Sequence, residues 1–310
     1  MTVSTSHVTP RRSPPARKKR RYSDGHPLDH VQYVESKLIL KGDRFTSVDS
    51  FDEFARLVKR TAKQADVDFS RKAFKDAKPR IREVLFFDTE DFRLYNNAFI
   101  LRKRTEYVDG FAVGDPEIVF KFRHPDLQKA ADMDVRPQIA GDHRVKFKCQ
   151  ALPLKEKLGG VRLLFSHNVQ FPRSEMGVVS EDVGNMDFIS KIFPVLAGLK
   201  KEPGEKVAFV SNTIIEEVLQ DIGQLDFGEG VRAKANVAIW RTRGEHRPLI
   251  GEFAFQVTFK DRKELDRKAM EKFEAFFIAL QYAAESYINL NATKTATVYR
   301  LLGNPPKSHE

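Results

Sequence analysis

Pairs of charged residues, most of them basic, recur two positions apart along this chain of 310 residues. Residues i and i+2 of a β-strand project from the same face, so each pair would place its charges on one face and its apolar neighbours on the other. Several such strands in a chain with enough apolar residues for a core predict a sheet curled around a basic interior. Such an interior suits a polyanion. The six stretches are Glu35–Lys37, Arg102–Arg104, Lys121–Arg123, Lys146–Lys148, Arg232–Lys234 and Arg241–Arg243.

The composition predicts a globular body preceded by a basic tail. The chain is 41% hydrophobic and carries a formal net charge of +10. Residues 1–29 hold seven Lys or Arg and two acids, lack periodic apolar positions and are expected to be disordered. The run Arg11–Arg21 could serve as a nuclear-import signal or contact nucleic acid or another polyanion, or it could simply be a solvating tail. Residues 304–310 are expected to form a second disordered tail.

Cysteine usage and hydropathy exclude some protein classes. Cys149 is the only cysteine and lies on the apolar phase of its strand, so we expect a buried small hydrophobe and no intramolecular disulfide. No apolar run approaches the ~20 residues that span a bilayer, and no apolar segment follows the basic N-terminus as in a secretory signal. We therefore expect no membrane segment and a cytoplasmic location, or a nuclear one if the basic run is an import signal.

The elements that must position the charges are mostly strands. Residues 30–303 are expected to form one α+β domain, an antiparallel tunnel of about eight strands with helices packed outside, and a less regular insertion around 172–205. A loop is predicted at 124–142, and a helix is predicted to begin at Ser50 as N-cap. Strands are predicted near 31–41, 81–87, 98–107, 117–123, 143–149, 161–171, 206–215, 230–242 and 249–260, and further helices at 186–199, 261–287 and 293–302.

One segment resembles a known family. Phe86–Tyr95, leading into Leu101–Arg104, is similar to the Y-x-D-T-x-D-x-x-L … L-R-x-R motif of the CYTH domain, the triphosphate tunnel metalloenzyme superfamily. Tyr33–Lys37 stands where that family has a strand with E-x-E-x-K, and Gly251–Gln256 stands where it has a later strand with G-E. The resemblance covers most of residues 31–302. Within it, Phe92-Arg-Leu-Tyr95 is similar to the polyphosphate polymerase branch.

The resemblance implies a metal-dependent phosphohydrolase that acts on a triphosphate or polyphosphate in a tunnel. Glu35 and Glu252 would hold Mg²⁺ or Mn²⁺, and Lys37 would act with them in catalysis. Guanidinium groups suit bidentate contacts to phosphate, whereas ammonium groups act as point charges. The expected phosphate ligands are Lys37, Arg102, Arg104, Lys121, Arg123, Lys146, Arg162, Arg241 and Lys294.

The sequence also departs from the family pattern. Tyr33 replaces the first Glu of E-x-E-x-K, and Ala254 and Gln256 replace later acids. Two carboxylates therefore remain for metal binding, and a second metal ion would need another acid. The candidates for that acid are Asp226, Glu217 and Glu229.

Other functions are compatible with the same residues. A non-catalytic module that binds triphosphate or polyphosphate would keep the cations and lose acids, and a polyphosphate polymerase also works with fewer acids. A nucleic-acid-binding protein would rely on the basic tail. Asp88 and Asp91 are expected to be turn and capping residues rather than metal ligands. The eight histidines show no spacing suited to zinc, and no P-loop or Rossmann glycine motif is present.

Overall fold

The computed structural model describes residues 30–176, 184–199, 202–290, 292–302 and 306. The expected tails lie outside these residues, apart from residue 306. The strands are β1 (Tyr33–Leu40), β2 (Asp68–Ser70), β3 (Arg80–Asp88), β4 (Phe99–Val108), β5 (Phe111–His124), β6 (Arg144–Pro153), β7 (Val161–Pro172), β8 (Ala208–Phe209), β9 (Ile215–Asp226), β10 (Arg232–Thr242) and β11 (Pro248–Thr258). The helices are α1 (Val48–Gln64), α2 (Arg93–Asn96), α3 (Leu127–Asp132), α4 (Met186–Ile192), α5 (Arg267–Ala283) and α6 (Lys294–Tyr299).

The described strands close into a barrel. The order around it is β9-β10-β11-β1-β6-β7-β5-β4-β3, and β3 pairs with β9 to close the ring. The short strands β2 and β8 pair with the outer ends of β9 and β3. The α+β tunnel expected from the sequence is confirmed. It has nine strands rather than eight, and the β1–β6 pair is parallel, so the barrel is mixed and not wholly antiparallel.

Strand β9 is the main difference from the sequence prediction. A strand was expected at 206–215, but only Ala208–Phe209 is extended there. Ser211 and Asn212 have positive φ values of 56° and 44°, a left-handed conformation that ends an extended segment. The chain therefore turns, and the long strand begins at Ile215, where the expected one ends.

Because the bore is charged, the apolar faces of the strands point outward and form the core with the helices. On one flank, β1 and β9–β11 pack against α1 and α5 through a cluster that includes Phe54, Phe253, Phe255 and Phe276. Helix α1 begins after Ser47 and not after Ser50, because Ser50 Oγ accepts a hydrogen bond from the Ser47 amide at 3.0 Å inside the first turn.

The insertion and the expected loop cover the opposite flank. Phe120 and Phe147 of β5 and β6 pack against Ile189 and Phe193 beside α4. Helix α4 ends at Ile192, shorter than the predicted 186–199, and a 3-10 turn that starts at a proline follows. The expected loop at 124–142 contains helix α3.

A third apolar cluster lies at one end of the barrel. Ile39, Phe86, Ile100 and Trp240 contribute to it from the strands, and Tyr299 contributes from α6. Asp88, at the end of β3, accepts hydrogen bonds from the amides of Leu94 and Tyr95 at 2.8 and 2.9 Å and so caps α2, as the sequence predicts for this residue. No helix in the described part of the chain is both long and apolar enough to cross a bilayer.

Candidate polyanion-binding tunnel

The bore of the barrel is a charged cavity of ≈ 1110 Å³. Alternate residues of all nine strands face it, and Thr293, Lys294 and Thr295 reach it from the start of α6. The cations outnumber the acids by twelve to seven, a formal charge of +5. The cations are Lys37, Arg80, Arg82, Arg102, Arg104, Lys121, Arg123, Arg144, Lys146, Lys148, Lys234 and Lys294, and the acids are Glu35, Asp115, Glu117, Asp142, Glu217, Asp221 and Glu252.

One end of the bore is exposed to solvent, and the other end is buried. Its mouth is defined by Arg80, Arg144 and Lys234, and the side chains of Arg80 and Lys234 are 45% and 52% exposed. At the inner end, the side chains of Lys294 and Glu217 are 14% and 5% exposed. Charge is therefore increasingly removed from water along the bore. The apolar residues that line the inner end are Ile39, Phe86, Ile100, Leu152 and Trp240.

Three carboxylates and two lysines alternate in the inner half. The Lys37 Nζ lies 3.2 Å from a Glu35 oxygen and 3.4 Å from a Glu252 oxygen. The Lys294 Nζ lies 2.9 Å from Glu252 and 3.2 Å from Glu217. Burial favours the neutral acid, but the neighbouring ammonium groups outweigh it and hold the pKa of each of the three carboxyls below its ordinary value. All three acids are therefore anionic near neutral pH.

Further contacts fix the two ends of this chain of charges. Gln150 donates to Glu35 at 2.7 Å, and the Lys148 ammonium lies 3.5 Å from the same carboxylate. At the other end, Arg82 pairs with Glu217 at 2.6 Å, and the Trp240 indole N–H donates to Glu217 at 2.9 Å. Lys294 is the first residue of α6, which is capped by the Thr293 side chain. The acids therefore have fixed orientations.

A second set of cations lacks acidic partners. Among the residues that the structure describes, Arg102, Lys121 and Lys146 form no ion pair, and the buried Arg102 Nε has no hydrogen-bond partner. Burial, and then neighbouring cations, lower the pKa of Arg102 to about 9 and that of Lys146 to about 8, and they lower the pKa of Lys121 well below its ordinary value. Arg123 is affected similarly by burial, with a pKa of about 10. Charge removed from water without a counterion is costly, so Arg102, Lys121 and Lys146 would be stabilised by a bound anion.

Two neutral side chains, Tyr33 and Gln256, accept hydrogen bonds from cations of the barrel. Tyr33 accepts a hydrogen bond from Arg144 at 3.1 Å through its hydroxyl, and the Lys148 ammonium lies 5.3 Å from its ring centroid. Gln256 accepts from Lys148 at 2.6 Å. These positions orient cations toward the bore but add no negative charge to it.

Most of the expected phosphate ligands come together. Seven of the nine line the cavity, all except Arg162 and Arg241. Arg162 lies beyond the inner end, where its Nε donates to the Pro153 carbonyl at 3.2 Å. Arg241 follows Trp240 at a β-bulge and pairs with Glu216 on the outside of the barrel. We therefore leave Arg162 and Arg241 out of the candidate site.

Of the three additional acids considered from the sequence, one reaches the bore. Glu217 lies at its inner end, on the strand that the sequence did not predict. Asp226 instead pairs with Arg232 at 2.6 Å near the surface, and Glu229 lies in a turn with a φ of 50°. Five lining cations were not among the expected ligands: Arg80, Arg82, Arg144, Lys148 and Lys234. Arg80-Ile-Arg82 has the same two-residue spacing as the other pairs, so this signal was available.

Two carboxylates of the bore, Glu35 and Glu252, are placed to share a divalent cation. In the described part of the chain, no three or more His, Cys, Asp or Glu side chains are grouped closely enough to hold a metal ion. However, Glu35 and Glu252 converge on one point, which the Lys37 Nζ occupies at 3.2 and 3.4 Å. Mg²⁺ beside phosphates is commonly held by one or two carboxylates and by phosphate oxygens. The residues therefore fit a divalent cation that shares its ligands with a bound phosphate chain.

Comparison with known proteins gives distant structural likenesses only. No family model and no curated protein matches the chain. A Hippeastrum protein, described as a candidate adenylyl cyclase with a dominant triphosphatase activity, is 14% identical, with 89% of this chain and 100% of that chain covered and a TM-score of 0.41. A candidate adenylate cyclase from Bacillus halodurans is 12% identical, with coverages of 88% and 98% and a TM-score of 0.36. A Pyrococcus horikoshii protein is 11% identical, with 84% of this chain and 96% of that chain covered and a TM-score of 0.32. We base no conclusion on likenesses this distant.

Proposed function

We propose that the tunnel binds a triphosphate or polyphosphate and that the protein hydrolyses a phosphoanhydride bond of this ligand with Mg²⁺ or Mn²⁺. The observation that carries the proposal is a pair of partly buried cations inside the barrel, Arg102 and Lys121, which form no ion pair among the residues that the structure describes. A chain of phosphates is an anion narrow enough to reach them. A triphosphate carries about four negative charges, comparable to the surplus of the bore.

The lining residues divide the work by their chemistry. Arg102 and Arg104 would each offer two parallel N–H donors to phosphate oxygens, while Lys37 and Lys121 would neutralise charge as compact ammonium groups. Glu35 and Glu252 would hold the divalent cation, which would neutralise phosphate charge and polarise the phosphoryl group when bound. Phosphoryl transfer is catalysed mainly by positioning and electrostatic stabilisation, which is what these residues can supply.

A second candidate is a non-catalytic module that binds the same anions. It is favoured by the pairing of each inner carboxylate with a lysine, which leaves none of the three free of a cation. The nucleic-acid alternative has less support, because the body's cations largely face a bore and the basic tail lies outside the described residues. Neither alternative removes the need for an anion beside Arg102 and Lys121.

A phosphate-release assay separates the two candidates. The protein would be incubated with tripolyphosphate, ATP or long-chain polyphosphate, with Mg²⁺, Mn²⁺ or chelator. We expect metal-dependent release that falls by at least ~100-fold in Glu252→Gln. Glu216→Gln, on the outer face of β9, is the matched control and should retain activity. Tight tripolyphosphate binding without any release would instead favour the non-catalytic module, and release that survives both chelator and Glu252→Gln would refute the proposed role of the acids.

A further inference from the structure

We infer that the preferred ligand is a linear polyphosphate longer than a triphosphate, which enters the bore by one end and stops at the apolar inner end. This inference rests on the proposed binding of phosphate chains and adds the length and direction of the ligand. It depends on two features: an inner end that is lined mostly by apolar side chains in the described part of the chain, and a row of cations longer than a triphosphate needs.

Apolar side chains form most of the inner end of the bore in the described part of the chain. Ile39, Phe86, Ile100 and Trp240 line this end of the cavity and are each no more than 5% exposed, and Arg123 is the buried cation among them. The four apolar residues pack against α6 in one cluster, in which Tyr299 is also buried. A phosphate chain cannot cross an apolar cluster without losing its solvation and its counterions. The mouth, where the cations are exposed, is therefore the favoured entrance for a chain.

Cations continue well outward from the inner set. Arg144, Lys146 and Lys148 occupy every second position of β6 and line the cavity from the mouth inward. The seven residues from Arg144 to Gln150 span about 20 Å of strand, or about 15 Å along a barrel axis with strands tilted by roughly 40°, which is room for about five phosphates in an extended chain. The cavity thus accommodates a longer chain than a triphosphate.

The outer cations have no evident role with a short ligand. A triphosphate that contacts Arg102 and Lys121 deep in the bore would leave Arg144 and Lys234 near the mouth without a phosphate. Lys234 is paired with Asp221 at 2.7 Å, whereas Arg144, among the described residues, donates only to the neutral Tyr33 hydroxyl. A longer chain would place further phosphates beside both cations.

Calorimetric titration in chelator tests the inference without relying on activity. Linear oligophosphates of three to about ten units and ATP would be titrated into the full chain, its Arg144→Gln/Lys234→Gln variant and Arg102→Gln. We expect affinity to rise roughly tenfold from three to about five units and then level off. The mouth variant should lose this rise and keep its tripolyphosphate affinity, whereas Arg102→Gln should weaken every ligand. A long chain blocked at both ends by bulky amide groups should bind poorly.

The outcomes separate this inference from the proposed function. If tripolyphosphate does not bind at all, the proposed function fails. If tripolyphosphate binds tightly but longer chains gain nothing, if ATP binds best, or if the blocked chain binds as well as the open one, the inference is overturned and the proposed function stands. Arg241→Gln, which lies outside the bore, controls for a general effect of removing one positive charge.

Discussion

Replacing Arg102 by Met should make the free protein more stable and its anion binding weaker. Arg102 lies in the middle of the bore, forms no ion pair among the described residues and has a buried Nε without an acceptor. Met has a similar length without the charge. The substitution therefore removes a group that the ligand-free fold must solvate poorly, and it also removes a donor fork for phosphate.

The size of the effect follows from the pKa of Arg102. Burial, and then neighbouring cations, lower this pKa from its ordinary value to about 9. At 1.36 kcal/mol per pKa unit, the charged guanidinium is destabilised by up to about 5 kcal/mol. Imperfect packing of Met reduces the gain, and buried charges replaced by apolar groups have stabilised proteins by about 1–4 kcal/mol. We expect about 2 kcal/mol, which corresponds to a rise in Tm of about 5 °C.

Bound tripolyphosphate should cancel the gain in stability that Arg102→Met has in buffer. Tripolyphosphate at 100 times its wild-type Kd stabilises the wild type by about 2.7 kcal/mol. If loss of the charge-assisted contacts weakens binding about 100-fold, the variant gains only about 0.4 kcal/mol at the same concentration. The difference in Tm of about 5 °C in buffer should then shrink to near zero.

Differential scanning calorimetry with and without tripolyphosphate measures both effects on one sample. Arg241→Met is the matched control, because Arg241 pairs with Glu216 outside the barrel and should influence neither effect strongly. A lower Tm for Arg102→Met in buffer, or an unchanged response to tripolyphosphate, would refute the assignment of Arg102 as an uncompensated cation that awaits an anion.

Two further predictions use other groups of the bore. Burial, and then Arg144 and Lys148, lower the pKa of Lys146 to about 8. Because a bound phosphate favours the ammonium form, the affinity for tripolyphosphate should fall as the pH rises through about 8. The accompanying proton uptake should appear as a binding enthalpy that depends on the buffer. Lys146→Arg keeps its charge and should flatten the profile relative to wild type, and identical profiles would contradict the role of Lys146. Glu217→Gln should lower the free energy of unfolding of the free protein by roughly 3 kcal/mol, and the Tm with it, because Lys294 and Arg82 lose their shared carboxylate. Tripolyphosphate should restore more stability in this variant than it adds to the wild type. Glu216→Gln on the same strand should change the Tm little, and equal losses in both variants would remove the special role of the buried acid.

The alternation of charge along strands was sufficient to predict a charged bore. It worked because a side-chain period of two is a local property of extended backbone. The same rule also exposes the error at Arg241. Lys234 faces the bore, so Asn236, Ala238 and Trp240 face it too, and the next residue faces outward. Treating Arg241–Arg243 as an independent pair ignored the phase already set by Lys234 within one strand.

The ion pairs between the acids and the lysines of the bore could not be predicted from local sequence patterns. Glu252 on β11 meets Lys37 on β1 because these neighbouring strands run antiparallel, with Lys37 opposite Ala254. Glu217 joins them only through Lys294, which enters from a helix 77 residues later in the chain. Such contacts depend on barrel closure and on where α6 begins, and neither is encoded in the spacing of charges along one strand.

The two kinds of cation in the bore suggest why the acids persist beside so many lysines. Lys37 and Lys294 are held by carboxylates in the free protein, so they cost the fold little when no ligand is present. Arg102 and Lys121 form no ion pair with the acids of the described residues, so a bound anion would stabilise them. A bound phosphate chain would compete with Glu35 and Glu252 for Lys37, and a divalent cation could then take the place of the ammonium between those two carboxylates. Metal affinity measured calorimetrically should therefore rise when tripolyphosphate is present, and equal affinity with and without it would contradict this exchange.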